Sequence, residues 1–141
     1  MTIVYFDSSA FIKLLVEEAG SKLAAALWNG CDAAVSSRLA YPEVRAALAA
    51  DGRTLRLDAK EQSHAQSLWE DFWAATRPVE FTEPVAAHAG ALASRYSLRG
   101  TDAVHLASLL AVSSTETVFA VWDEGLRAGA AAAGIRTAPT A

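Results

Sequence analysis

The chain has 141 residues, 52% of them hydrophobic and 20% charged, with a formal net charge of −4. That length and balance predict one globular domain spanning 1–141 with its own core and exclude a disordered tail protein. The acidic balance removes the basic footprint with which nucleic-acid binders meet phosphate, so any such role needs cations to reverse the local field.

Thr2–Phe6 is a run of apolar and branched residues that predicts a buried strand, and it ends at Asp7. Ser8 to Glu18 then carries Phe11, Ile12, Leu14, Leu15 and Val16 at helical spacing behind a Ser cap. Gly20-Ser21 punctuates, Lys22 to Trp28 reads as a short helix, and Ala33–Ser36 as a short strand. Arg38 to Ala50 is predicted helical, with Pro42 near its start, and Asp51-Gly52 is expected to end it. Asp58 to Thr76 is the longest helical segment, and Arg77-Pro78 is expected to stop it before a strand at Val79–Thr82. Glu83 to Tyr96, with Pro84 in its first turn, and Thr101 to Val112 are helices flanking a Leu98-Arg99-Gly100 turn. Thr117–Trp122 reads as a buried strand, Asp123 to Ala133 as a final helix, and Ile135–Thr137 as an edge strand.

Strands alternating with helices predict an α/β fold with a mainly parallel sheet covered on both faces. In such sheets ligands bind beyond the carboxyl ends of the strands, where strand order reverses. Asp7 and Asp123 each end a buried strand and belong on that edge. Each could simply cap the next helix; Asp102 and Glu43 could be first-turn acids that complement a helix dipole. Together they could face one another, and carboxylates so crowded repel unless a cation neutralises them. Hard oxygen donors that leave waters in place suit Mg²⁺ or Mn²⁺, and two such ions about 4 Å apart promote phosphodiester hydrolysis. Spacing alone leaves the cap reading and the metal reading both open.

Other carboxylate-edge enzymes fit less well. A dehalogenase-type phosphatase needs a second Asp where Ser9 stands, and a receiver domain needs a late Lys, whereas the lysines are Lys13, Lys22 and Lys60. A metal-free ribonuclease needs paired His or Lys, and His64, His88 and His105 are scattered. His105, three residues beyond Asp102, is expected to serve packing or a backbone bond rather than ligation. Trp69 and Trp73, at i, i+4, are expected in a core or partner face, and Cys31 and Trp122 in the core.

The segments VYFDSSAFIKLLVEE, LRGTDAVHLASLLAV and VFAVWDEGLRAGAAAAGI, with YPEVRAAL around Glu43, together resemble PIN-domain ribonucleases, and more narrowly VapC-type toxins of toxin–antitoxin pairs. The resemblance spans nearly the whole chain and implies a three-layer α/β/α sandwich and an Mg²⁺- or Mn²⁺-dependent endoribonuclease. It maps the four family acids onto Asp7, Glu43, Asp102 and Asp123 as catalytic, metal-holding residues. Ser8 or Ser9, and Thr101 beside Asp102, would orient them, and Arg99 would contact phosphate. The family often carries Ser or Thr two residues before its fourth acid; Val121 stands there and brings no hydroxyl. A VapB-type antitoxin lying against the early helices, a homodimer and an RNA substrate are also implied. A non-catalytic PIN-like binding module is the alternative, against which the retention of four mutually repelling acids argues. With a lone Cys31 and no apolar run of about 18 residues, a reducing, cytoplasmic location with no membrane span is expected.

Overall fold

The computed structural model describes residues 1–54 and 56–140. β1 (Ile3–Phe6) is short and branched, and its residues after Ile3 are fully enclosed. It pairs in parallel with β2 (Ala33–Ser37) on one side and β4 (Thr117–Ala120) on the other. β3 (Arg77–Val79) and β5 (Arg136–Ala138) close the edges, so the all-parallel sheet runs β3-β2-β1-β4-β5. The chain grows outward from β1 through β2 to β3, then returns to start the other half at β4. Strand order therefore reverses between β1 and β4, in register at Phe6 and Ala120, and the crevice beyond that point is where such sheets bind ligands.

Alternation along β1 divides the core in two. Val4 and Phe6 face α1 (Ser8–Leu15), α2 (Ser21–Gly30), α3 (Ala40–Arg53) and α4 (Ala59–Ala74). Tyr5 faces the opposite layer, α5 (Glu83–Tyr96), α6 (Gly100–Val112) and α7 (Glu124–Ala132). The result is the expected α/β/α sandwich. Phe11, Trp28, Trp69 and Trp73 interlock on the first face, with Trp69 fully buried and 4.8 Å from Phe11 between ring centres. That places both tryptophans of α4 in the core-forming stripe.

Several boundaries differ from the sequence reading for identifiable reasons. α1 is capped by Asp7 rather than by a serine and stops at Leu15, after which Val16 is extended. α3 continues through Asp51-Gly52 to Arg53, and the Gln62 side chain packs over Gly52 while donating to the Leu48 carbonyl at 3.0 Å. β3 covers Arg77–Val79 instead of Val79–Thr82; proline is tolerated on an edge strand, and Thr82 is needed to cap α5 at Val85 N–H. Cys31 and Trp122 are only partly buried rather than core, and Lys13 lies 5.1 Å from the Trp122 ring centre. Among the described residues no helix is long and apolar enough to cross a membrane.

Candidate active site

The β1–α1 junction turns a carboxylate inward. Asp7 is 5% exposed, and its Oδ1 accepts from Ala10 N–H at 2.9 Å while Ser9 Oγ lies 3.2 Å from both oxygens. Burial pushes the Asp7 carboxyl up from its ordinary range, and the nearby charge of Asp102 adds to that. Capping and a role in a site are thus compatible: the cap bond fixes the side chain, and the burial leaves its charge short of compensation.

Glu43 arrives from the first turn of α3. It accepts hydrogen bonds from Ser8 Oγ and from His105 Nε2, the latter at 2.7 Å. Burial pushes Glu43 up, but the hydrogen bonds from His105 and Ser8, with the nearby Arg99 guanidinium, outweigh it, and the net displacement is downward. Asp102 stands in the first turn of α6, where Arg99 Nε donates to its Oδ2 at 2.9 Å.

Asp7, Glu43 and Asp102 line one cleft of about 350 Å³ together with Ser8, Ser9, Thr101, Arg99 and His105. Three acids from three separate elements are therefore brought to one place. Asp123 is not among that lining; it is exposed and caps α7 through Leu126 N–H at 2.9 Å. Its field still reaches the site, because the hydrogen bond and charge of Asp102, then the charges of Asp123 and Glu43, raise the Arg99 guanidinium above its ordinary value.

The donor set is all oxygen, carboxylate and hydroxyl, which is the chemistry of Mg²⁺ or Mn²⁺ rather than of zinc. Among the described residues no three His, Cys, Asp or Glu side chains converge closely enough to enclose an ion directly. Mg²⁺ does not need such an enclosure, since it keeps several waters and takes one or two carboxylates. The buried, undercompensated Asp7 beside Asp102 and Glu43 fits an ion held in that manner.

Three residues escape a reading by residue spacing. His105 makes no side-chain bond to the backbone but joins Glu43 to Tyr5, whose hydroxyl lies 2.8 Å from His105 Nδ1. Tyr5, read from sequence as a plain strand residue, sends its hydroxyl to that same network. Arg127, 8% exposed, donates from Nη2 to the Val121 carbonyl at 3.0 Å and from Nη1 to Glu124 at 2.9 Å. It braces the β4–α7 turn at the position where the hydroxyl is missing. The only advance signal was an arginine in an otherwise small-residue helix.

The PIN domain family model matches residues 4–127, from β1 into α7, and so encloses all four acids. The chain belongs to the PIN-domain family. Within it, the chain is 64% identical over 139 residues to Ribonuclease VapC45 and to Ribonuclease VapC49, from two strains of Mycobacterium tuberculosis, with 99% of this chain and 96% of each relative covered. Near-complete overlap at that identity makes this a VapC-type PIN domain. The fold also matches the crystal structure of FitAcB from Neisseria gonorrhoeae, with a TM-score of 0.69 over 95% of both chains at 19% identity. For this PIN domain the cleft between β1, α3 and α6 is the candidate active site.

Proposed function

We propose that residues 1–141 act as one PIN domain, a VapC-type endoribonuclease toxin that hydrolyses RNA phosphodiester bonds at the cleft of Asp7, Glu43 and Asp102. The observation that carries this reading is the meeting of those three acids in a chain 64% identical to named ribonucleases. Asp7 and Asp102 would hold Mg²⁺ or Mn²⁺, with Glu43 and, through its charge, Asp123 completing the negative field. The ion, when bound, supplies positive charge at the scissile phosphate and acidifies water.

The chain's own residues prepare that chemistry. Ser9 and Ala10 N–H fix the Asp7 carboxylate, and Ser8 and His105 hold Glu43 charged. Arg99, with its side chain 77% exposed, neutralises Asp102 and is free to swing toward a backbone phosphate of the RNA. Two divalent ions would bring the formal −4 close to neutrality, which answers the objection from net charge. The 2′-hydroxyl takes no part, so products should carry 5′-phosphate and 3′-hydroxyl ends.

A VapB-type antitoxin is the expected partner. The shallow cleft bounded by Lys13, Leu14, Lys22, Trp28 and Phe72 offers its chain an apolar floor between α1, α2 and α4. A homodimer would use the larger apolar groove of Tyr41, Pro42, Trp73, Phe81 and Val104, where Phe81 is 58% exposed. A cytoplasmic site of action fits an RNA substrate.

Cleavage of a structured RNA and of single-stranded DNA, with Mg²⁺, Mn²⁺ or EDTA, tests the reading. RNA cutting abolished by EDTA and by Asp102→Asn is expected. Cutting indifferent to EDTA, or products ending in cyclic phosphate, would overturn the metal scheme; binding without cutting under every metal would favour a non-catalytic module.

A further inference from the structure

A chain of hydrogen bonds runs from the middle of the sheet to the cleft, and its direction can be worked out donor by donor. Ser37 N–H lies 3.0 Å from the Tyr5 hydroxyl oxygen, and a backbone amide can only donate. The Tyr5 oxygen is thereby an acceptor there, and its own proton is available for the neighbour 2.8 Å away, His105 Nδ1. Tyr5 is fully enclosed and burial raises its phenol, so the proton stays on oxygen. With Nδ1 accepting, a neutral imidazole carries its proton on Nε2, which faces Glu43 Oε1 at 2.7 Å. The reverse tautomer would set a bare nitrogen lone pair against a carboxylate oxygen at that distance. Ser8 Oγ donates to the same Glu43 oxygen, so one carboxylate oxygen takes two directed bonds.

We propose that Tyr5 and His105 are positioning residues for the cleavage site: Tyr5 locks His105 as the Nε2–H tautomer, and that N–H holds the Glu43 carboxylate aimed into the cleft. Tyr5 is fully enclosed, and His105, though it borders the cleft, is only 2% exposed and has its ring nitrogens engaged by Tyr5 and Glu43. The pair acts through Glu43, as the outer hydrogen-bond partners of metal-holding carboxylates do, where loss of one such partner typically weakens metal affinity or activity about 10–100-fold. An imidazole suits this role because it spans from β1 to α3 as a rigid rod with a donor at one end and an acceptor at the other. This rests on the nuclease reading given above, and its test is separable from it.

Long-range ¹⁵N–¹H correlation of the imidazole in the metal-free protein reads the tautomer directly. A protonated Nε2 and bare Nδ1 for His105 are expected; a protonated Nδ1, alone or with Nε2, overturns the proposal whatever the variants do. Mn²⁺ affinity by calorimetry and RNA cleavage are then compared across three variants. Gln can place its amide nitrogen where Nε2 stood, whereas Asn reaches only as far as Nδ1. His105→Asn and Tyr5→Phe should weaken Mn²⁺ binding about 10–100-fold and lower kcat with an unchanged KM for RNA, while His105→Gln restores most of both. Equal loss in Gln and Asn, or Mn²⁺ affinity unmoved in both, overturns the positioning role. Should the wild type fail to cut RNA yet show the expected tautomer and variant order in Mn²⁺ binding, the nuclease reading falls and the positioning of Glu43 stands.

Discussion

Asp7 and Glu43 line the same cleft, yet their surroundings push them in opposite directions. Asp7 is buried with one N–H and one hydroxyl for company, so its folded-state pKa lies above the unfolded value near 3.9. Its favourable contribution is then complete below that unfolded value and is lost as pH rises through the folded pKa. Asp7→Asn keeps the cap acceptor and removes the charge. The metal-free variant should therefore melt above wild type at pH 7 and lose that advantage near pH 3.5, while cleavage is abolished. Differential scanning calorimetry in EDTA at the two pH values checks this; a variant that melts well below wild type at pH 7 would reduce Asp7 to a structural cap.

Glu43 carries the opposite sign. Its pKa is lowered, so its contribution is present above the unfolded value near 4.3 and is lost as pH falls through the folded pKa. Glu43→Gln weakens two hydrogen bonds to a charged acceptor and should cost about 1 kcal/mol at pH 7, with the deficit fading in acid. Denaturant titrations at pH 7 and pH 3.5 distinguish the two residues by the direction of change alone.

At the scale of elements, the α1–α2 connection bears on the site's edge. Gly20 adopts φ +92°, and a Cβ there would stand 2.8 Å from Trp122 Nε1 and 3.0 Å from the Lys13 side chain. The turn thus lets the Trp122 indole pack under the loop, one residue before Asp123, with Lys13 above the ring and donating to the Ala19 carbonyl at 2.7 Å. Gly20→Ala should destabilise by about 1–3 kcal/mol through left-handed strain and the indole clash. Trp122 fluorescence should shift with it, and an unchanged Tm and emission spectrum would show that the loop can yield. The β4–α7 turn is held differently, through the Arg127 guanidinium on the Val121 carbonyl, so Asp123 keeps a fixed backbone without a hydroxyl at Val121. Helix caps complete this scale: Asp7, Asp58, Thr82 and Asp123 each accept from their own first turn; a sequence reading places the helices after Asp58 and Asp123, whereas it gives α1 a serine cap and puts Thr82 in a strand.

For the whole molecule, the topology decides which ends of the chain meet. Because β1 lies between β2 and β4, the elements after β1 and before α6 converge at one edge of the sheet, while the apolar groove at Tyr41, Trp73 and Phe81 opens beside it and shares Thr101 with the acid cleft. Self-association through that groove would set two clefts near a common seam. Phe81→Glu places a charge in the middle of the apolar lining and should raise the dimer dissociation constant at least about tenfold. Sedimentation equilibrium measures it, and an assembly state unaffected by the charge would rule this groove out as a dimer face.

By itself the sequence determined the alternation of strand and helix, the sandwich it implies, and four acids at strand ends and helix starts. These are local properties, carried by hydrophobic period, caps and branched runs within a few residues. Where Pro78 and Gly52 looked like stops, the reading failed because an edge strand tolerates a proline and a helix near its end tolerates a glycine at a cost of about 1 kcal/mol. Only the tertiary structure decided that Asp7, Glu43 and Asp102 share a cleft while Asp123, exposed at the start of α7, is not among its lining. It alone joined Tyr5 to His105, 100 positions apart, and His105 to Glu43, 62 apart. A hydrogen bond has a reach of about 3 Å and is indifferent to chain separation, so such partners leave no period for a sequence to display.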